Sequence, residues 1–503
     1  MQLHIENFGP IKKGTIDLTK QLYVFVGYNN SGKTYLSQLI WDIFANKQNL
    51  LDAAIDAIIA DKNIAFTDTY TITEDFIADV LTEFQNKLKA KITSTLYLKN
   101  DDAVISNAKF SFVELENVAK DVFKKIISTP HKTRLEFSSP LNDPYSASNN
   151  PYIEYTKPTD SAIITAVAAN LPKDISFKSL AEDNPSKNFE LTYTIISNGL
   201  GTPKSTFIKI LKRLINNAFL SQTNTLFMPS ERLFYTSKYD YIYGIEREKN
   251  DLLFKLLSNK DDNADLKNRA QNLTRPNYTQ AIQPIIKLLL NFNRQNANTY
   301  YQQAIEDLEG IINGRITARR SESIALAEFV LTMKNNNELP MYLASSSVNQ
   351  LSSLYLYLKY WAREQNNFLI IDEPEENLHP QNQLKLTDLL LQFGQMNNNR
   401  LLITTHSPLI TEHINNYLIL GTILAQMGET EARNTAAKLA IEYLPLTHQD
   451  VGIYFFTGTE IKEYAIDDYG TIFRDFKKAT DKVNNTAQEL ASILFDHRNP
   501  ELA

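Results

Sequence analysis

Cysteine is absent from all 503 residues. Disulfides, thiolate zinc sites, iron–sulfur clusters and cysteine nucleophiles are therefore excluded, and the absence leans towards a reducing compartment. No apolar run approaches the ~20 residues needed to span a bilayer, and the opening stretch MQLHIENFGPIKKG has no apolar signal core. The expectation is a soluble, cytoplasmic protein with no membrane partner. Basic charge is not in excess: 51 Lys and Arg face 58 Asp and Glu, a net charge of −7. The field of the whole chain repels phosphate, so a nucleic-acid contact would need a local basic patch. Arg315, Arg319 and Arg320, around a Gly-Arg turn, are the candidates, and a solvated turn is the better reading of them. Sustained heptads and fixed-period repeats are missing too, which excludes a long coiled coil and a solenoid.

What is present is ordinary globular composition, 43% hydrophobic and 22% charged. The length allows about two to four folding units, or one large domain carrying insertions. Leu22–Val26 (LYVFV), Phe368–Ile371 (FLII) and Leu401–Thr405 (LLITT) are short continuous apolar runs, the mark of strands buried on both faces. Leu226–Met228 reads as a further strand, Ile316–Met333 and Leu339–Leu343 as others, and YFFTGTEIKEY as a hairpin before a final helix. Strands alternating with helices after residue 315 predict a mostly parallel, helix-covered sheet. Thr73 reads as a helix cap, with Phe76, Ile77, Val80, Leu81, Phe84 and Leu88 on one face. Residues 138–160, rich in Ser, Asn and Pro, read as a long loop, and 236–312 as mainly helical.

Chemistry concentrates in four places. Gly27–Thr34 (GYNNSGKT) follows a buried strand and opens a helix, with the spacing G-x-x-x-x-G-K-[ST]. Backbone N–H groups of such a loop, here from Gly27 through Asn29, Asn30, Ser31 and Gly32, wrap phosphate. The lysine, Lys33, reaches the β/γ-phosphates, and the Thr34 hydroxyl ligates Mg²⁺. Asp372 and Glu373 end the FLII strand; one carboxylate can hold the metal shell and the next can orient or deprotonate a water. His406 ends the LLITT strand, where it can reach a γ-phosphate or the attacking water. Ser345, Ser346 and Ser347 precede a helix, and are either an anion site or a plain cap.

Taken in order, the lysine motif, serine cluster, IIDEPEENLHPQNQ and ITTHSPLI resemble an ABC-type ATPase. More narrowly they are similar to the RecF/SMC-like and OLD-like branch, whose N-terminus the Asn7–Ile11 segment and VGYNNSGKT also resemble. Met228-Pro-Ser-Glu-Arg232 resembles a Pro-x-Glu-Arg element of bacterial members associated with phage defence. The resemblance implies an α/β P-loop core, a mixed sheet covered by helices, with a large mainly helical insertion between two half-sites. Its parts would be 1–46 (core, with the lysine motif), 47–220 (insertion), 221–235 (core strand and P-S-E-R element), 236–314 (helical insertion), 315–450 (core) and 451–503 (hairpin and helix).

It also implies ATP and Mg²⁺ as ligands, with Lys33 and Thr34 on the phosphates and metal, Asp372 on the metal, Glu373 catalytic and His406 the switch histidine. Ser345, or Ser346, would reach ATP bound by a second copy in a head-to-tail pair, and Glu376, Asn377 and His379 would face that copy. Ser346 and Ser347 stand where glycines are usual, which narrows the approach to a γ-phosphate. Gln38 and Gln222 are both candidates for the usual loop glutamine. More than three hundred residues separate Lys33 from Ser345, so the insertion is large and, lacking heptads, compact. Fewer than a hundred residues follow His406, without a D-x-D pair, so no nuclease is expected in this chain. The implied role is a defence ATPase controlling a separate effector, such as a nuclease, Toprim protein or toxin, as in Septu, PARIS and some retron systems. A RecF-like clamp on DNA and a nucleotide-gated scaffold with little turnover are the alternatives.

Overall fold

A computed structural model describes residues 1–61, 69–128, 131–136, 152–157, 165–169, 177–178, 191–195, 203–232, 279–290, 292, 297–320 and 327–498. In chain order the elements are β1 (Gln2–Phe8), β2 (Ile11–Asp17), β3 (Leu22–Gly27), α1 (Lys33–Ala45), α2 (Lys47–Asp61), β4 (Thr69–Ile72), α3 (Glu74–Thr95), β5 (Lys109–Phe112) and α4 (Leu115–Ser128). Then come β6 (His131–Glu136), β7 (Tyr152–Lys157), β8 (Thr165–Ala169), β9 (Phe177–Lys178), β10 (Leu191–Ile195), α5 (Pro203–Phe219) and β11 (Asn224–Met228). The remainder holds α6 (Gln283–Leu290), α7 (Gln302–Ile312), β12 (Gly314–Arg320), β13 (Ala327–Met333), β14 (Glu338–Pro340), α8 (Ser346–Leu356), β15 (Asn367–Asp372), α9 (Pro380–Gln395), β16 (Arg400–Thr405), α10 (Pro408–Met427), α11 (Glu429–Leu439), β17 (Val451–Phe456), β18 (Ile461–Glu463) and α12 (Arg474–Arg498).

Two compact units result. One comprises Met1–Thr19, Tyr35–Thr225 and Thr279–Ala281; the other comprises Lys20–Thr34, Leu226–Tyr278 and Ile282–Ala503. The first unit holds three small antiparallel sheets, ordered β2-β1-β5, β4-β10-β9 and β6-β7-β8. Thr73 caps α3 as its sequence predicts, its side chain accepting the Phe76 N–H at 3.1 Å, and the expected apolar face of that helix is buried. Residues 152–157, read from sequence as part of a loop, are strand β7 between β6 and β8. Of the expected 236–312 helical stretch, 236–278 lies outside the described residues.

Asp42, on α1, is fully buried. Its Oδ1 accepts from Thr95 Oγ1 (2.9 Å) and Asn46 Nδ2 (3.0 Å), and its Oδ2 has no hydrogen-bond partner among the described residues. Burial, only partly offset by Thr95, Lys91 and Asn46, pushes the carboxyl up to about 7. A folded-state value above the unfolded one means the folded chain holds the proton more tightly, so this group stabilises below the unfolded value and loses that stabilisation as pH rises to 7. Roughly 3–5 kcal/mol is at stake. Asp42→Asn keeps the acceptor and removes the charge. It is expected to raise thermal stability at pH 8 and to flatten its dependence between pH 4 and 8; a variant no more stable than the parent at pH 8 would contradict this.

The second unit is built on a six-stranded sheet, ordered β11-β15-β16-β3-β17-β18. The pairs β15–β16, β16–β3 and β3–β17 are parallel, and β17–β18 is antiparallel. Every residue of β3 and β15 is buried, as their unbroken apolar runs predict. Alternate residues Val24, Val26, Leu369, Ile371, Leu401 and Ile403 join Leu351, Leu354, Leu386 and Leu389 of α8 and α9 in one apolar cluster. Beside the sheet lies the antiparallel meander β12-β13-β14. The strand expected over Leu339–Leu343 stops at Pro340, and Met341–Leu343 form a 3₁₀ turn. Proline has no N–H to extend the ladder, and Asn349 Nδ2 binds the turn carbonyls of Met341 (3.0 Å) and Ala344 (3.1 Å).

Arg315, Arg319 and Arg320 lie in strand β12 rather than on a turn, and Arg319 pairs with Glu338. The hairpin and terminal helix expected near the end are β17–β18 and α12. No helix of the described residues is long and apolar enough to cross a membrane.

Candidate active site

The register of the six-stranded sheet sets the geometry. Val26 stands opposite Thr405, Asp372 opposite Thr404, and Gly27 opposite Phe456. Four neighbouring parallel strands therefore end at one level. Such carboxyl ends are where open α/β sheets take ligands.

From β3 the chain turns through the glycine-rich loop into α1. Gly27 has φ +144°, and a Cβ there would lie 2.3 Å from the Phe456 carbonyl oxygen, so no other residue fits. Asn30 (φ +57°) and Gly32 (φ +98°) are also left-handed, which curls the backbone into a cradle. Tyr28, Asn29 and Asn30 are exposed, whereas Ser31, Gly32 and Lys33 are buried. Ser31 Oγ is buried and has no hydrogen-bond partner among the described residues. Lys33 Nζ donates to the carbonyls of Tyr28 (2.9 Å) and Gly27 (3.3 Å). Burial lowers its pKa, and the charges of Glu373, Asp372 and Glu375 oppose that shift.

Thr34 Oγ1 donates to Asp372 Oδ2 at 2.8 Å, across 338 residues of sequence. Thr404 Oγ1 donates to Asp372 Oδ1 at 2.6 Å. Burial pushes the Asp372 carboxyl up, while these two hydroxyls pull it down. A buried carboxylate beside a hydroxyl is a hard-oxygen donor set, which fits Mg²⁺.

Glu373 turns the chain with a left-handed φ of +45°. Its N–H donates to the Thr404 carbonyl (3.0 Å) and to Thr404 Oγ1 (3.1 Å). Its Oε1 lies 3.4 Å from His406 Nε2, both side chains being about one-third exposed. The hydrogen bond to His406 holds the Glu373 carboxyl below the usual glutamate range. His406 is not a helix cap, since Ser407 caps α10.

Sequence reasoning passed over Glu375. Its Oε1 accepts from Thr405 Oγ1 (2.6 Å) and from the His406 backbone N–H (2.9 Å), fixing the segment that carries the histidine. Its Oε2 is buried without a hydrogen-bond partner among the described residues, and burial raises the carboxyl's pKa. The run of acids after Asp372 was the available signal, but nothing local singles out the one that turns inward. Glu375→Ala is expected to lower turnover at saturating ATP about tenfold or more through misplacement of His406, with ATP affinity within twofold. Unchanged turnover would show that the anchor is dispensable.

The serine cluster sits at the start of α8. Ser345 is its N-cap, accepting from Val348 N–H at 3.4 Å and sharing a 2.9 Å hydrogen bond with Ser347 Oγ. Ser345 and Ser346 are exposed. A plain cap and an open helix N-terminus therefore coincide. After Glu375, Glu376 and Asn377 are exposed, and His379 caps α9 by accepting from Gln381 N–H at 3.3 Å. Gln38 is buried on α1, and Gln222 is exposed.

The AAA ATPase domain family matches residues 1–411, most of the chain and all of these motifs. The chain belongs to that family. No curated protein matches it. Among solved structures, this AAA ATPase aligns with an SMC head bound to the C-winged helix domain of ScpA, at 9% identity over 93% of this chain and 97% of that one, TM-score 0.33. It also aligns with an SMC head domain with an extended coiled coil, bound to the C-terminal domain of ScpA derived from Pyrococcus furiosus (10% identity, 97% and 98% covered, TM-score 0.30). A third is the SMC head domain from Thermotoga maritima (9% identity, 92% and 98% covered, TM-score 0.28).

Proposed function

We propose that two copies of this AAA ATPase pair head to tail around ATP, each copy completing the other's site. The observation that carries the reading is the convergence of Thr34, Asp372, Glu373 and His406 at one sheet end, beside a buried Lys33. Lys33 and the loop amides would bind the β- and γ-phosphates. Thr34 and Asp372 would hold Mg²⁺, which when bound supplies neutralising charge on the phosphates. Glu373, kept ionised by His406, orients and deprotonates the attacking water, and His406 steadies both Glu373 and the γ-phosphate. The exposed Ser345, or its neighbour Ser346, would reach the nucleotide of the other copy. Closure on ATP and reopening after hydrolysis make a ligand-biased two-state switch.

The role we infer is sensor and regulatory scaffold of a bacterial anti-phage defence complex, acting on a separate effector such as a nuclease, a Toprim protein or a toxin. Support comes from the Met228–Arg232 element. The net charge of −7 disfavours a DNA clamp, and serines in place of the usual glycines favour slow turnover.

Two measurements test this. Turnover per chain is expected to rise with protein concentration, and light scattering to show a dimer with ATP; a flat dependence and a constant mass would reject the pairing. Copurification with the products of neighbouring genes is expected to yield an effector. Recovery of replication proteins instead would reject the defence role.

A further inference from the structure

Arg232 ends the Met228–Arg232 element and is only 1% exposed. Its guanidinium reaches three elements at once. Nη1 donates to the carbonyls of Pro229 (2.7 Å) and Asp372 (2.5 Å), Nη2 to that of Glu373 (3.1 Å), and Nε to that of Gln350 (3.3 Å). A planar fork can serve carbonyls on both sides in this way; an ammonium cannot. Gln350, fully buried, answers from α8: its Nε2 donates to the Ser230 carbonyl (2.7 Å) and to Glu376 Oε2 (3.2 Å). Its Oε1 is buried and has no hydrogen-bond partner among the described residues. A buried amide with one half unsatisfied is costly and has something to gain from a second arrangement.

Gln350 is on the helix that Ser345 caps, about 7.5 Å along its axis at ~1.5 Å per residue. Asp372 and Glu373 are the strand-end acids. Arg232 and Gln350 thus join the serine end of α8 to the backbone of Glu373, a residue with left-handed φ whose Oε1 lies 3.4 Å from His406 Nε2.

We propose that Arg232 and Gln350 are positioning residues that couple the two ATP sites of the pair. The proposal rests on the paired-site reading above. A nucleotide held by the partner would engage Ser345 and shift α8. Gln350 and Arg232 pass that shift to the carbonyls of Asp372 and Glu373 in the same chain, and Glu373 then meets the water at that chain's own ATP. Each site becomes competent when the other is filled, so turnover is cooperative in ATP.

The test uses the full-length chain, with ATP as the ligand, and compares wild type, Gln350→Leu and Arg232→Lys. For two coupled sites the wild-type Hill coefficient lies above 1 and below about 2. Gln350→Leu is expected to keep ATP affinity within twofold and to keep ATP-dependent dimerisation, while kcat falls roughly 10–100-fold and the Hill coefficient falls to 1. Arg232→Lys should do the same; if it fails to fold, Gln350→Leu carries the test alone. Unchanged kcat in folded Gln350→Leu overturns the proposal, as does a lower kcat with an undiminished Hill coefficient, which marks a merely structural role. A wild type that neither dimerises nor turns over ATP rejects the paired site itself, a failure seen before any variant is made.

Discussion

Lys33→Ala is expected to reduce ATP turnover by a factor of about 10³ or more and to weaken ATP binding strongly. Lys33 is the buried cation among three carboxylates, those of Glu373, Asp372 and Glu375, whose charges act on it directly. Without it those acids would confront a triphosphate with no compensating charge from the side chain nearest the loop. Burial removes the screening that would soften the loss at a surface. The fold should survive, because the two carbonyls that Lys33 Nζ holds, those of Gly27 and Tyr28, belong to the same turn. Nucleotide titration, phosphate release and a melting curve measure the three quantities. Affinity and turnover both at the wild-type level would refute the phosphate assignment.

Glu373→Gln is expected to separate binding from chemistry. The variant keeps the size of the side chain and the backbone hydrogen bonds to Thr404, and loses the negative charge and with it the ability to accept a proton. Turnover should fall at least ~10²-fold, with ATP still bound and the closed pair accumulating. The wild-type carboxyl, lowered by its bond to His406, is ionised throughout the neutral range. Its loss by protonation should therefore appear only at distinctly acid pH, as the carboxylate gains its proton and the base disappears. Size-exclusion profiles identical with and without ATP in Glu373→Gln would count against the trapped state, and near-normal turnover would remove Glu373 from the chemistry.

Much of the sheet was legible because buried parallel strands have an unusual signature. LYVFV and FLII are unbroken apolar runs and LLITT is one up to its two threonines, and β3, β15 and β16 follow them closely. The cap at Thr73 was equally plain, since a cap is local chemistry. Residues 152–157 were misread because strand β7 is polar and is defined by its pairing with β6 and β8. Arg315 and Arg319 were assigned to a turn on the strength of Gly314, yet their register opposite Thr332 and Glu328 makes them strand residues. Glu375 and Gln350 were missed for a related reason. One lies in a run of acids and the other in a helix whose polar residues look alike in sequence, and only the partner each meets distinguishes it.

By itself the sequence determined which chemical groups this protein can bring to a triphosphate: the glycine-rich loop with its lysine, the paired strand-end acids, the histidine and the capped serines. These are consequences of spacing over a few residues. Only the tertiary structure decided their company. It set Thr34 on Asp372, Glu373 beside His406, His406 on Glu375, and Arg232 across the carbonyls of Asp372, Glu373 and Gln350. The physical reason is that the register of parallel strands and the burial of a guanidinium are fixed by hydrogen bonds between segments tens to hundreds of residues apart, and no local pattern encodes which segments those will be.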